Sequence, residues 1–218
     1  VTVCSNGGRY HAYAYAYAGY TYSADIGVPN ARNLEKTRMY FEIPDSIQNT
    51  INKEAKIDSA KLIIYEYSDY SNGGNTLCCY ALEDGWDLNT ISWDEAVGLS
   101  KRPSGEGFQS TTGEGYHKFD IANTINDWVQ GLLDNHGLVV MTNDELEKGG
   151  AFYTPQSSPE NASQGDVTEN KKPHIVIEWS IPDPVDVNTS IDSTTISLCP
   201  LIETDINGKL AFHGLFAN

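Results

Sequence analysis

The chain has 218 residues, enough for one β-domain with a full core and an appendage. Its 30 acidic side chains against 14 basic ones give a formal charge of −16. That balance argues against nucleic acid or an anionic membrane as partner, since both are held through Lys and Arg, and no apolar run of about 18 residues is present to span a bilayer.

The start at Val1, with no basic leader before an apolar stretch, fits a protein whose signal peptide has been removed. Abundant Tyr, Asn, Ser, Thr and Gly fit an extracellular or cell-surface setting. Residues 1–9 read as an N-terminal arm. From Tyr10 to Tyr22 tyrosine and alanine alternate with period two, which predicts a strand. Tyr13, Tyr15 and Tyr17 share one face and form a candidate contact surface. Ala12, Ala14, Ala16 and Ala18 share the other. Gly19 breaks the phase and predicts a bulge or turn.

Arg38–Ile43 is a predicted strand closed by Pro44-Asp45. Ile57–Tyr67 is another, with Ala60, Leu62 and Ile64 on one face. Asn72-Gly-Gly-Asn75 is a hairpin turn leading into the strand Leu77–Leu82. A loop then runs from Asp84 past Trp93, and residues 99–114 read as a further exposed loop. Tyr116–Ile121 is a strand. Ile121, Ile125, Trp128, Leu132 and Leu133 mark one short helix over 121–133, with Ile125, Trp128 and Leu132 directed into the core. Asn135-His136-Gly137 is a turn, Leu138–Val140 a buried strand, and residues 142–170 a long loop. Pro173–Trp179 contains the last strand of the domain.

After Pro182-Asp-Pro184 the character changes. Thr194–Cys199 and Lys209–His213 are β-prone and are separated by the turn sequence Asp205-Ile-Asn-Gly208. The fold class expected is therefore all-β: a β-sandwich over residues 10–180, one short helix, and a β-prone C-terminal extension over 181–218 able to donate strands.

The segments Arg38-Met-Tyr-Phe-Glu-Ile-Pro44, Ile57-Asp-Ser-Ala-Lys-Leu-Ile-Ile-Tyr65 and Trp86-Asp-Leu-Asn-Thr-Ile-Ser-Trp93 come in a telling order. They continue with Phe119–Trp128, Asn135-His-Gly-Leu138 and Lys172-Pro-His-Ile-Val-Ile177. Together they resemble the DNRLRE domain family, whose relatives include disaggregatase-related repeats and some carbohydrate-binding modules. The resemblance implies a jelly-roll-like sandwich on a cell surface or in a secreted protein. It fixes no ligand. The alanine–tyrosine strand, the Cys78-Cys79 pair and the tail depart from it.

The chemistry-bearing residues form no catalytic set. The five histidines show no metal-ligand spacing, and no G-x-S-x-G occurs. No enzyme activity, resident metal or cofactor is expected, although the carboxylate excess is compatible with Ca²⁺. Cys4, Cys78, Cys79 and Cys199 are disulfide candidates. Cys78 and Cys79 point to opposite faces of their strand and so would take different partners, in this chain or the next. Buried reduced thiols are the alternative. Trp86 and Trp93 are candidate sugar platforms, against a plainer role in anchoring their loop. Asn161 and Asn188 lie in acceptor sequons.

Two functions follow. The first is a structural subunit of an extracellular sheath, fibre or surface layer, in which copies of the chain join by strand addition and disulfides. The second is a carbohydrate-binding module with a polysaccharide as partner.

Overall fold

The computed structural model describes residues 2–4, 9–10, 15–22, 34–69, 76–103, 109–111, 113–142, 150–155, 157, 167–182, 191–197, 203–204 and 210–213. Among these the strands are β1 (Thr2–Cys4), β2 (Arg9–Tyr10), β3 (Tyr15–Tyr22), β4 (Leu34–Phe41), β5 (Lys56–Asp69), β6 (Thr76–Leu82), β7 (Lys101–Pro103) and β8 (Gln109–Thr111). They continue with β9 (Gly115–Asp120), β10 (Leu138–Thr142), β11 (Gly150–Tyr153), β12 (His174–Ser180), β13 (Ile191–Ser197), β14 (Glu203–Thr204) and β15 (Leu210–His213). Three short helices interrupt them: α1 (Ser46–Thr50), α2 (Trp93–Gly98) and α3 (Ala122–Gln130). The fold is an all-β sandwich, as the periodicity predicts.

One sheet runs β4–β10–β6, extended by β1 on β4 and by β7 and β8 on β6. The other is built on β5, flanked by β9, β11 and β12. All of these pairings are antiparallel. Strand β3 belongs to both sheets. Its first half pairs with β11 and its second half with β4, and the change of partner falls at Gly19. The phase break read from the sequence is thus the corner where the chain crosses between layers.

Alternation explains the core. Ala60, Leu62 and Ile64 on β5 face Met39 and Phe41 on β4 and Leu138 and Val140 on β10, all within one buried cluster. Strand β10 is buried on both faces. Its outer side is covered by the segment 86–99, where Ile91, Ala96 and Leu99 pack on Tyr40, Leu82 and Val139. That segment contains α2, which the loop reading passes over. Ser92 caps it, accepting a hydrogen bond from the Glu95 amide at 3.2 Å, with Asp94 and Glu95 in the first turn.

The predicted helix is α3, and Ile125, Trp128 and Val129 are fully buried. Leu132 is a correction: it is 76% exposed. The helix ends at Gly131, whose φ is +71°. The Leu132 amide donates to the Asp127 carbonyl at 2.8 Å and the Gly131 amide to the Trp128 carbonyl at 3.2 Å. This is a Schellman ending, so Leu132 lies beyond the helical repeat that would carry it inward. Leu133 packs on the core instead.

Other expectations shift as well. The predicted loops 99–114 and 142–170 contain β7, β8 and the fully buried β11. The tail does not wait for a neighbour's sheet. Strand β13 pairs with Val176–Ser180 of β12, and β15 pairs with His174 and Ile175. The physical reason is proximity in sequence: β12 would otherwise be an open edge, and a short intrachain connection covers it at lower entropic cost than a second molecule. The turn sequences at 72–75 and 205–208 lie outside the described residues.

One polar pair sits inside the sandwich. Glu66 continues the inward face of β5 and is fully buried. Its carboxylate lies 2.7 Å from His117 Nε2 and accepts from the Gly113 amide at 3.0 Å. The same His117 nitrogen is 2.9 Å from the Gly113 carbonyl.

Candidate functional site

The strand order β4–β10–β6 brings three chain ends to one rim of the sandwich. Leu138 at the start of β10 is paired with Phe41 at the end of β4 and with Ala81 near the end of β6. The segments just beyond these pairs, 42–45, 85–88 and 135–137, therefore meet. They enclose a cleft of about 430 Å³.

The turn 135–137 is the organising piece. Asn135 donates through Nδ2 to the Ile43 carbonyl at 2.8 Å, and its Oδ1 accepts from the Gly137 amide at 3.1 Å. The same Nδ2 lies 3.3 Å from Asp45 Oδ1. One amide side chain thus ties the turn to the segment after β4. Gly137 makes the close approach feasible. Its φ is +85°, and a Cβ there would lie 2.2 Å from the Phe41 carbonyl oxygen. The Gly137 carbonyl in turn accepts from the Leu82 amide at 3.0 Å, which fixes the end of β6.

Trp86 forms the apolar wall. It is half-buried, its ring centroid is 5.6 Å from that of Tyr40, and Nε1 donates to the His136 carbonyl at 2.7 Å. The indole is therefore held at both its face and its polar edge. The His136 ring packs over Gly85, 3.7 Å from the position of a Cβ there. Glu42 and Asp45 are exposed at the rim. Nearby, the Ser100 amide and hydroxyl, together with His136, hold the Asp84 carboxyl below the usual carboxylate range. One fixed aromatic wall with carboxylate, amide and imidazole groups around it suits a polyhydroxylated ligand. The indole offers a flat apolar face, and the polar groups offer hydrogen-bond donors and acceptors.

A family model matches residues 14–169, described as carbohydrate-binding module family 96. The chain belongs to carbohydrate-binding module family 96. The match bears out the carbohydrate-binding-module side of the resemblance and does not support the DNRLRE name. Modules of this class bind glycans without cleaving them. A search of curated proteins gives no match.

Within the module the residues singled out from sequence separate. Trp86 lines the cleft. Trp93 does not: it opens α2, with the Arg38 guanidinium 5.3 Å from its ring centroid, and packs on the outer cluster. Of the four disulfide candidates, Cys78 and Cys79 are the two whose side chains are described. Both are buried, and neither is joined by a disulfide to a described residue. Strand β6 is interior, paired on both edges, so its cysteines pack as small apolar side chains. Burial pushes the Cys78 thiol up, against a hydrogen bond with Tyr80. Cys4, Tyr15 and Tyr17 lie on strands whose side chains are outside the description, and Tyr13, Asn161, Asn188 and Cys199 lie outside the described residues. Among the described residues no group of His, Cys, Asp and Glu is arranged to hold a metal ion, and no helix is long and apolar enough to cross a membrane.

Sequence reasoning singled out Trp86 but not Glu42, Asp45, Asn135 or His136. A signal was present. Three of the motif pieces behind the family resemblance, around Pro44, Trp86 and Asn135-His-Gly-Leu138, are the three that converge on the cleft.

Proposed function

We propose that this module binds a polysaccharide through the cleft at the end of β4, β10 and β6, as part of a secreted or cell-surface protein, and carries out no catalysis itself. The observation that carries the reading is the Trp86 wall, fixed by His136 and Tyr40 and faced by Asp45, Glu42 and Asn135, in a chain of a glycan-binding family. Family membership supplies the ligand class, and the cleft supplies a surface with the matching chemistry.

The sheath or fibre reading has lost its main argument. It rested on the β-prone tail, on the flat alternating strand near the start, and on Cys4 and Cys199 near the two ends. The described tail strands are paired within the chain, on β12.

The test is affinity electrophoresis and titration calorimetry against a panel of neutral and uronate polysaccharides. Trp86→Ala should weaken binding at least about tenfold, the loss of one well-placed stacking contact. Because Trp86 also packs on Tyr40, the rim variant Glu42→Ala serves as a second measurement, lowering affinity with unchanged melting, and Asp45→Ala as a third, lowering affinity with at most a small loss of stability from its Asn135 contact. Binding that survives all three substitutions rules out this cleft. Absence of binding to every polysaccharide rules out the function.

A further inference from the structure

We infer that the module takes its glycan as a chain end or a short stretch of a few sugar units seated in the cleft, not as a long chain laid across a sheet face. The inference rests on the carbohydrate-binding reading above and adds the form of the ligand.

Among the described residues two surfaces compete for the role. The first is the cleft. Its volume of about 430 Å³ is at the small end of ligand sites and accommodates roughly two to three pyranose rings. It offers one aromatic wall, and the backbone segments 42–45 and 135–137 are stapled together beside it by Asn135. Glu42 and Asp45 are exposed lining residues at its rim, so further sugar units would find few added partners among the described residues.

The second surface is the outward face of β5 and its neighbours, which carries Tyr65, Tyr67, Tyr116 and Tyr153. A face that binds an extended or crystalline polysaccharide needs several rings lying in one plane. These rings do not. Tyr65 and Tyr116 meet edge to face, at an interplanar angle of 81°. Tyr153 is 2% exposed and stacks between Tyr65 and Tyr67. The Lys171 ammonium sits 4.8 Å over the Tyr65 ring. The tyrosines spend their faces on one another and on a cation, which leaves Tyr116, 44% exposed, as the accessible ring. One tilted ring is not a platform.

The consequence is a length dependence. Affinity should rise from monosaccharide to about the trimer and then level off, because later units make no new contact. The probes are glucose, mannose and xylose oligomers with β-1,4 linkage, and oligouronates, each from monomer to hexamer, titrated into the full chain by calorimetry. Trp86→Ala should cut affinity at least about tenfold at every length above the monomer, while Tyr116→Ala leaves it unchanged. An affinity that keeps rising from trimer to hexamer overturns the inference and leaves the binding function standing. Loss of binding in Tyr116→Ala equal to that in Trp86→Ala does the same. Retention on insoluble polysaccharide with no binding to any soluble oligomer also refutes it. Failure to bind polysaccharide in any form removes the function and this inference together.

Discussion

Gly137→Ala tests the cleft at its tightest point. The added methyl meets two separate obstacles. The backbone at φ +85° costs a residue with a Cβ about 1–2 kcal/mol. The Cβ would also lie 2.2 Å from the Phe41 carbonyl oxygen, which is backbone and cannot swing aside. Phe41 is held in the β4–β10 ladder opposite Leu138, so relief must come from the turn moving off β4. That movement strains the Leu82 amide bond to the Gly137 carbonyl, and an interior hydrogen bond left unmade costs about 1–3 kcal/mol. The expected destabilisation is about 3–5 kcal/mol in urea or thermal unfolding. His136 and Asn135 move with the turn, so Trp86 loses its Nε1 partner. Glycan affinity should then fall at least about tenfold at a temperature where the variant is still folded. Gly98→Ala is the control: a Cβ there meets nothing within 4 Å, and the substitution should be neutral or slightly stabilising. A Gly137→Ala protein that unfolds with the wild type and binds glycan normally would refute both the packing argument and the placement of the site.

Trp128→Ala should cost about 3–5 kcal/mol, as a large-to-small change at a residue 1% exposed, whereas Leu132→Lys, on a side chain 76% exposed, should leave the unfolding midpoint unchanged. Trp128→Phe should be milder than Trp128→Ala, because it leaves a smaller cavity and, like the alanine, removes an indole N–H that has no hydrogen-bond partner among the described residues. Glu66→Leu removes the carboxylate hydrogen-bonded to His117 and the Gly113 amide and should cost about 1–3 kcal/mol; adding His117→Leu should recover part of that loss in a double-mutant cycle. Burial, with Lys118 nearby, holds the His174 imidazole below its ordinary value of 6.5, against a hydrogen bond to the Lys172 carbonyl at 2.7 Å. The unfolded chain therefore protonates first, so this contribution to stability is intact above about pH 6.5 and is lost as pH falls from there through the lower folded-state pKa. His174→Gln should flatten the acid side of the stability profile, measured as unfolding free energy against pH, and an unchanged slope would contradict the assignment.

What was legible in the sequence follows from how far each signal reaches. Strand signals are local, so period-two alternation marked β5, a hairpin turn marked β6, a short continuous apolar run marked β10, β4, β9 and β12 were read from their own residues, and Gly19 marked the corner of β3. Helix α3 was marked by its apolar spacing, but its last turn was not, because Gly131 ends the repeat one residue before Leu132. Helix α2 carried a readable cap in Ser92 and Glu95, hidden because the surrounding segment reads as loop. The four residues of β11 are too few for periodicity to show, and their burial comes from pairing with β3 and β5, which are distant in sequence.

The cleft was the least legible feature, and its construction says why. No stretch of chain contains it. Pro44, Trp86 and His136 become neighbours because β10 inserts between β4 and β6, an order that breaks sequence order in the sheet. Each piece has a purely structural task when seen alone: Pro44 ends a strand, Trp86 anchors a loop on Tyr40, Gly137 permits a turn. The same constraints that let the turn pass within van der Waals reach of Phe41 also present the His136 carbonyl to the Trp86 edge. Holding the fold together and holding the aromatic wall in place are therefore one set of contacts. This is why a change at Gly137, which need not touch the ligand, is expected to register in stability and in binding alike.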